Sequence, residues 1–273
     1  MPFADANGQR LFCEVHGDGE PLVLVTGLGG DRLSWGEQLE ALSAQYRTIV
    51  FDNRDSGQSS ECAEGYEVVD LAHDTLALAD VLGLDHFHLL GISLGGAIAQ
   101  EVALAAHERV RTLTLAMTWG GDGHWGRVRG RLMANAALRT PREEHIEQLL
   151  HTSLSEELFE DPERVAYFRQ VVLENPHPQS VEAYARQAQA VGRHEARDRL
   201  GRLEMPVHVI GAERDMMVPV WKSRELADLV PHARLTVLAG GSHGANMEKA
   251  EEFNRAVLDF LVEHAETERG AAA

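Results

Sequence analysis

The strongest chemical signal lies in five residues, Gly91-Ile92-Ser93-Leu94-Gly95. The apolar run Phe87–Leu90 leads straight into them, and a helical segment, Leu94–His107, follows. A serine on so sharp a strand-to-helix turn takes a strained backbone conformation. Its neighbours two residues away on either side come close together, and only small residues fit there. The turn exposes the hydroxyl. It also aims the free N–H groups of the new helix at the place where negative charge would develop in an attacked carbonyl. A helix N-cap is the plainer role open to the same serine.

A hydroxyl is a weak nucleophile and needs a base, which an acid must orient. The chain has 14 histidines. His86 and His88 flank Phe87 in a strand, His73 lies on an amphipathic helix, and His145, His151 and His177 fall in the middle of the chain. His243 differs, because it sits in the small-residue loop Gly240-Gly241-Ser242-His243-Gly244 after the last strand candidate. The acid is expected at Asp215, in the loop Gly211 to Pro219 that follows another strand candidate, with Glu213 and Asp122 as alternatives. Two backbone N–H groups are expected to hold the oxyanion. One is that of Leu94, and the other is that of Leu28 in the loop Thr26-Gly27-Leu28-Gly29-Gly30, where glycines let backbone approach a ligand. No Gly-Lys-Ser/Thr follows that loop and its glycines do not spell GxGxxG, so phosphate binding is a poor reading of it. No HExxH occurs, and this chemistry calls for neither cofactor nor metal.

These groups need a scaffold that gathers distant loops. Leu22–Val25, Thr48–Phe51, Phe87–Leu90, Leu113–Met117, Val207–Ile210 and Leu235–Leu238 read as buried strands, with Leu11–Val15 as an edge strand. Amphipathic segments separate them: Trp35–Ala44, Val68–Leu82, Leu94–His107, Val220–Leu229 and Asn246–Glu263. The alternation predicts a mostly parallel sheet with helices on both faces, and the loops after its carboxyl ends gather on one edge. From about residue 120 to about 200 the rhythm breaks. Only helical periods appear there, punctuated by Pro141, Pro162, Pro176 and Pro178. This predicts a helical cap, residues 120–200, inserted into a core of residues 1–119 and 201–273. Trp119, His124 and Trp125 stand where the insertion leaves its strand and are expected to line a substrate pocket, with core packing the other role open to each tryptophan. The arginines Arg127, Arg129, Arg131, Arg139 and Arg142 read as a solvated helix face, and spacing alone does not say which of them turns inward.

Composition narrows the partners. Hydrophobic residues make up 44% of 273, enough to bury a core, which excludes global disorder. The net charge of −18 repels phosphate backbones and anionic lipid, so neither nucleic acid nor a membrane is an expected partner. The two cysteines, Cys13 and Cys62, are too few for a disulfide framework. The start shows no basic region followed by an apolar run, and no stretch of about 18 apolar residues occurs, which together predict a cytoplasmic protein. The oligomeric state stays open, a homodimer among the options.

Taken together, these motifs resemble the α/β-hydrolase superfamily over nearly the whole chain. They are Thr26–Gly30, Asp52-Asn53-Arg54-Asp55-Ser56-Gly57-Gln58-Ser59, Gly91–Gly95, Gly211 to Pro219, and His243. The second is similar to the family's D-x-R-G-x-G-x-S loop, with Asp55 where glycine is usual. The first has Thr26 where the family usually has histidine. The ending from His243 to Glu248 with Glu252-Phe253-Asn254 is similar to that of 3-oxoadipate enol-lactonases and of bacterial methyl esterases. The resemblance implies an eight-stranded, mostly parallel sheet with a helical cap after the sixth strand. It also implies a serine hydrolase cleaving a small carboxylic ester or lactone through an acyl-enzyme. Dehalogenases and epoxide hydrolases of the superfamily carry aspartate at the turn, and Ser93 argues against both. The alternatives are a cofactor-free lyase or perhydrolase on the same scaffold, and a catalytically silent ligand-binding module.

Overall fold

Alternation inside one apolar run shows how the sheet is buried. In the strand Pro21–Val25, Leu22 and Leu24 join one apolar cluster and Val23 and Val25 the other. Successive side chains of a strand point to opposite faces, so a run buried at every position must be covered on both. The computed structural model describes residues 2–271, with side chains described through residue 264.

The strands are β1 (Phe3–Ala6), β2 (Gln9–His16), β3 (Pro21–Val25), β4 (Arg47–Phe51), β5 (Phe87–Ile92), β6 (Val110–Ala116), β7 (Val207–Ala212) and β8 (Arg234–Leu238). They form one sheet of eight in the order β1-β2-β4-β3-β5-β6-β7-β8. β2 pairs antiparallel with β1 and with β4, and every later neighbour is parallel. The helices are α1 (Gly36–Ser43), α2 (Val68–Val81), α3 (Leu94–Ala105), α4 (Gly123–Arg139), α5 (Arg142–Ser153), α6 (Glu156–Phe159), α7 (Pro162–Leu173), α8 (Val181–Arg193), α9 (Val220–Leu229), α10 (Ala245–Glu248) and α11 (Ala250–Ala271). Leu71 and Leu78 of α2, Ile98 and Val102 of α3 and Leu226 of α9 cover one face of the sheet. Leu42 of α1 and Phe253, Val257 and Leu261 of α11 cover the other, with Trp35.

One strand expectation and one helix expectation change. Leu11–Val15 belongs to β2, which is not an edge, because β1 pairs outside it from Phe3↔Phe12 to Ala6↔Gln9. Asn7 and Gly8 link the two strands with φ of 50° and 74°. A two-residue turn with both φ positive suits the right-handed twist of a hairpin, and Asn-Gly is its favoured pair. The segment from Asn246 to Glu263 is also not one helix, since it divides at Lys249 into α10 and α11.

Five helices, α4 to α8, lie between β6 and β7. Their main contact is α4 against α8, where backbones nearly touch. A Cβ on Gly130 would stand 2.4 Å from the Ala188 carbonyl oxygen, and one on Gly192 would stand 2.6 Å from that of Gly126. Ala134 and Ala137 continue the stripe against Ala185 and Ala188. Among the described residues no helix is long and apolar enough to cross a membrane.

Candidate active site

Sheet order decides where a site can form. From β3 the chain passes to β4 on one side and later to β5 on the other, so the strand order reverses there. The loops after β3 and β5 part at such a point and leave a crevice at the carboxyl edge. Ser93 follows β5 directly, with φ 56° and ψ −118°. The strain is held from several directions. Ser93 N–H donates to the Ala116 carbonyl at 2.9 Å, and the Thr118 hydroxyl donates to the Ser93 carbonyl at 2.7 Å. A Cβ on Gly91 would lie 2.1 Å from the Gly95 carbonyl oxygen, and one on Gly95 would lie 2.0 Å from that of Val25. No larger residue fits at either place without moving backbone.

Three groups meet at the crevice. His243 Nε2 is 3.0 Å from Ser93 Oγ, and its Nδ1 is 2.8 Å from Asp215 Oδ2. The other oxygen of Asp215, Oδ1, accepts from the N–H groups of Met217 at 2.8 Å and Val218 at 2.7 Å. These bonds fix the carboxylate's rotation and leave one oxygen facing the imidazole. The Asp215 side chain is fully buried and His243 is only slightly exposed. The alternative acids are engaged elsewhere. Glu213 accepts from the Gly240 N–H at 2.8 Å, and Asp122 pairs with Lys222 Nζ at 2.6 Å.

The loops that carry the acid and the base are joined to each other. Glu213 N–H donates to Leu238 and Arg214 N–H to Gly241, at 3.1 and 2.8 Å. The histidine loop is also tied to the end of α5: Ser242 Oγ and Gly244 N–H both donate to the Ser153 carbonyl, at 2.6 and 2.7 Å. On the far side, the loop after β3 is held by Asn53, whose amide donates to Thr26 Oγ1 at 3.2 Å and to the Thr26 carbonyl at 3.3 Å. Thr26 thus takes part in fixing the loop that carries Leu28.

The Asp52–Ser59 segment works as a brace. Asp52, fully buried, accepts from the N–H groups of Arg32 at 2.9 Å and Gln58 at 2.8 Å. Gly57 has φ 52°, and a Cβ there would lie 2.2 Å from Asp52 Oδ2. Arg54 grips Asp74 of α2 with two bonds of 2.5 Å. Burial pushes the carboxyl pKa of both aspartates up against those partners.

A cavity of about 240 Å³ opens onto Ser93 and His243. Leu28, Gly29 and Ser34 border it on the β3 side, and Leu149, Leu150 and Leu154 come from α5 and its end. An adjoining cavity of about 240 Å³ shares Gly30, Leu150 and Met247 with it and reaches Tyr167 and Phe168 of α7. A wider groove of about 710 Å³ between α1 and α11 is open to solvent, and its lining includes no serine, cysteine or histidine.

The expected lining residues divide. Trp119 is buried and borders the cavity. His124 and Trp125 do not border it, and Trp125 is 60% exposed. The phase of α4 is the reason. Gly126, Gly130 and Ala134 face α8, so positions 125, 129 and 133 form the next stripe. Arg129 and Met133 of that stripe reach the cavity, while Trp125, one turn earlier, is exposed and does not border it. Arg129 therefore departs from the solvated face expected of the α4 arginines.

Tyr184 had no counterpart in the sequence reading. It borders the cavity, its ring lies 3.2 Å from a Cβ placed on Gly29, and its other side meets the His145 ring edge-on at 5.0 Å. The small residues beside it on α8, Ala183, Ala185 and Ala188, were the available sign of a buried face.

Known proteins of this shape can be set beside that geometry. Residues 20–250 match the family model for the alpha/beta hydrolase fold. A protein of Azorhizobium caulinodans named as a carbamate hydrolase, RutD, is 31% identical over 96% of this chain and 99% of its own length. The enol-lactonase from Burkholderia xenovorans superposes with a TM-score of 0.86 at 28% identity, over 96% of this chain and 100% of that one. A thermophilic esterase from Thermogutta terrifontis gives a TM-score of 0.85 at 27% identity over 94% of both chains.

Proposed function

The chain belongs to the α/β-hydrolase family, and from that premise we propose that it is a serine hydrolase cleaving a small carboxylic ester or lactone. One observation carries the reading: the line from Asp215 through His243 to Ser93, at 2.8 and 3.0 Å. Each contact is within hydrogen-bond reach, and their order suits a nucleophile, its base and the base's orienter.

In this mechanism Ser93 Oγ forms a bond to the substrate carbonyl carbon while its proton passes to His243 Nε2. Asp215, accepting from Nδ1–H, fixes the tautomer and stabilises the imidazolium. The N–H groups of Leu28 and Leu94 hold the oxyanion. The C–O bond to the leaving group then breaks as His243 returns the proton to that oxygen. Water, giving its proton to His243, attacks the acyl-enzyme and releases the acid. The helices between residues 120 and 200 act as a cap that covers the site and selects the substrate, with residues 1–119 and 201–273 as the core beneath. Trp119 is a substrate-contacting residue. No cofactor enters any step. Two free thiols, Cys13 and Cys62, are in keeping with a cytoplasmic protein.

The relatives named for carbamate hydrolysis add a second candidate bond. A carbamate offers the same carbonyl to the same attack, with an amine or alcohol leaving. The experiment is a panel of short esters, lactones and carbamates run on wild type and Ser93→Ala, beside a fluorophosphonate probe. Wild type should be labelled and should turn over at least one class, and Ser93→Ala should lose labelling and about 10⁴-fold or more in rate. Equal, slow cleavage of every member by both proteins would remove the reading.

A further inference from the structure

Helix α7 carries a stripe built for a core, and the stripe faces empty space. Phe168, Val171 and Val172, with Asn175 just beyond the helix, fall at the three- and four-residue spacing of one helix face. Such a face ordinarily packs against other side chains, yet α7 has no buried residue. Val171 is 48% exposed and Tyr167, on the flank of the stripe, 58%. All five line the cavity of about 240 Å³ that adjoins the Ser93 cavity. Leu33, on the 3₁₀ turn Arg32–Trp35 after β3, lines it too and is half exposed. Apolar side chains left uncovered together mark a place where something binds.

The position of the cavity says what covers that face. Gly29, Gly30, Ser34, Leu150, Val172 and Met247 line both this cavity and the one at Ser93. Two of those six have no side chain, and Met247 is unbranched and repacks readily. Each cavity alone is smaller than most ligand sites, about 300–1,000 Å³, and the pair together falls within that range. A protein helix, about 10 Å across, is too wide for so small a space. The rim is tied: the Asn175 amide donates to Asp31 Oδ2 at 2.7 Å, and Arg142 Nη2 donates to the Val172 carbonyl at 3.2 Å. Among the described residues the lining has no arginine, lysine or histidine, and its two charged members, Asp31 and Glu37, are both acidic. A negative group entering there would meet like charge and no cation.

We propose that this cavity is the second chamber of the Ser93 site and receives an uncharged apolar arm of the substrate, ending in a ring or a branched alkyl group. The preferred substrates are then neutral esters whose carbonyl sits at Ser93 while the far end of one arm lies against α7 and Leu33. The inference rests on the serine-hydrolase reading for the bond that is cleaved, and on the lining of the second chamber for the arm.

Two ester series test it: methyl 3-phenylpropanoate against methyl propanoate, and 2-phenylethyl acetate against ethyl acetate. They place the ring on the acyl and on the alcohol side, away from the carbonyl. In wild type one series should favour its ring-bearing member by about tenfold or more in kcat/KM. A para-carboxylate on that ring should cancel the gain. Val171→Trp and Leu33→Trp fill the chamber from two different elements. Each should lower the ratio about tenfold or more, mainly through KM of the ring-bearing ester. Both positions are half exposed, so the melting temperatures should stay near that of wild type. Binding of the matching amide, 3-phenylpropanamide or N-(2-phenylethyl)acetamide, to Ser93→Ala, read by calorimetry, should weaken about tenfold or more when Val171→Trp is added. No preference for the ring in either series, a preference that survives both tryptophans, or a gain kept by the carboxylated ring would overturn the proposal. Failure of the hydrolase reading shows differently: wild type and Ser93→Ala would cleave all the esters alike, and amide binding would still decide what fills the chamber.

Discussion

Asp55 and Arg186 face each other across 131 residues of sequence and close a two-bond ion pair, Nε to Oδ2 at 2.9 Å and Nη2 to Oδ1 at 3.0 Å. Asp55 holds a left-handed backbone, φ 67°, a region that favours glycine. The unfavourable backbone is offset by what the carboxylate does. It anchors α8, and with it the face that carries Tyr184. Gln187 strengthens the joint by donating to the Arg54 carbonyl and to Ser56 Oγ, both at 3.0 Å.

Removing only the cation should expose the cost of that joint. The Asp55 carboxylate is fully buried. Arg186→Met leaves it without its cation, for which we expect a loss of about 3–5 kcal/mol in urea unfolding. Asp55→Gly combined with Arg186→Met should recover most of the loss, since glycine takes the left-handed backbone without strain. A double variant as unstable as the single would refute the pairing as the source of the effect.

Asp215→Asn separates orientation from folding. The amide oxygen can still accept from Met217 and Val218, so the melting temperature should stay near that of wild type. The amide nitrogen would then face His243 Nδ1 and favour the wrong tautomer. A fall in kcat of about 10⁴-fold is expected in the ester assay. A fall below tenfold would mean that His243 is oriented by something else.

Two glycines should respond with opposite signs. At Gly95 a Cβ would stand 2.0 Å from one backbone carbonyl oxygen and 2.7 Å from the next. Gly95→Ala should therefore cost about 3 kcal/mol or more. Gly36 begins α1 with φ −50° and nothing within 4 Å of its added Cβ. Gly36→Ala should be neutral or stabilising by up to about 1 kcal/mol. Chemical denaturation of both variants checks the contrast.

His208 gives a pH prediction away from the site. It is buried in β7 against Phe260, and burial drives its pKa down to about 4. An unfolded histidine titrates near 6.5. Between those values the unfolded chain binds the proton and the folded chain does not, so stability falls as pH drops from about 6.5 towards 4. From pH 7 to pH 5 this one group should remove about 2 kcal/mol. His208→Gln can keep a hydrogen bond to Thr236, and it should lose that much less stability over the same interval. Parallel pH–stability curves for the two proteins would contradict the assignment.

Much of the architecture was legible because it rests on local pattern. β3, β5 and β7 are short apolar runs, and α9 begins and ends where its periodicity does. Ser93 could be found because a strained turn demands its flanking glycines, and His243 because a loop histidine after a strand end is unusual among 14. β1 was missed although Asn7-Gly8 announced a hairpin, since four residues are too few for alternation to stand out. The inward turn of Arg129 was not legible. It follows from the phase of α4, which its glycines set by close approach to α8, and the charge pattern of α4 alone resembles a wet surface. The partner of Asp55 was equally hidden, because nothing local marks a contact between residues 131 apart.

β6 and β7 lie side by side in parallel register, Leu113 opposite Val207 through Ala116 opposite Ile210, so the chain departs and returns at neighbouring points of one rim. Strands in such a pair stand about 4.8 Å apart. The covalent path through α4 to α8 therefore begins and ends at two adjacent points, and its length is invisible to the strand pairings beneath. Under the cap role proposed above, changes to that stretch that spare Ser153 and its hold on the histidine loop would alter which molecules are admitted without touching the strands that precede Ser93, Asp215 and His243, which makes it the natural place for an ancestral scaffold to diversify.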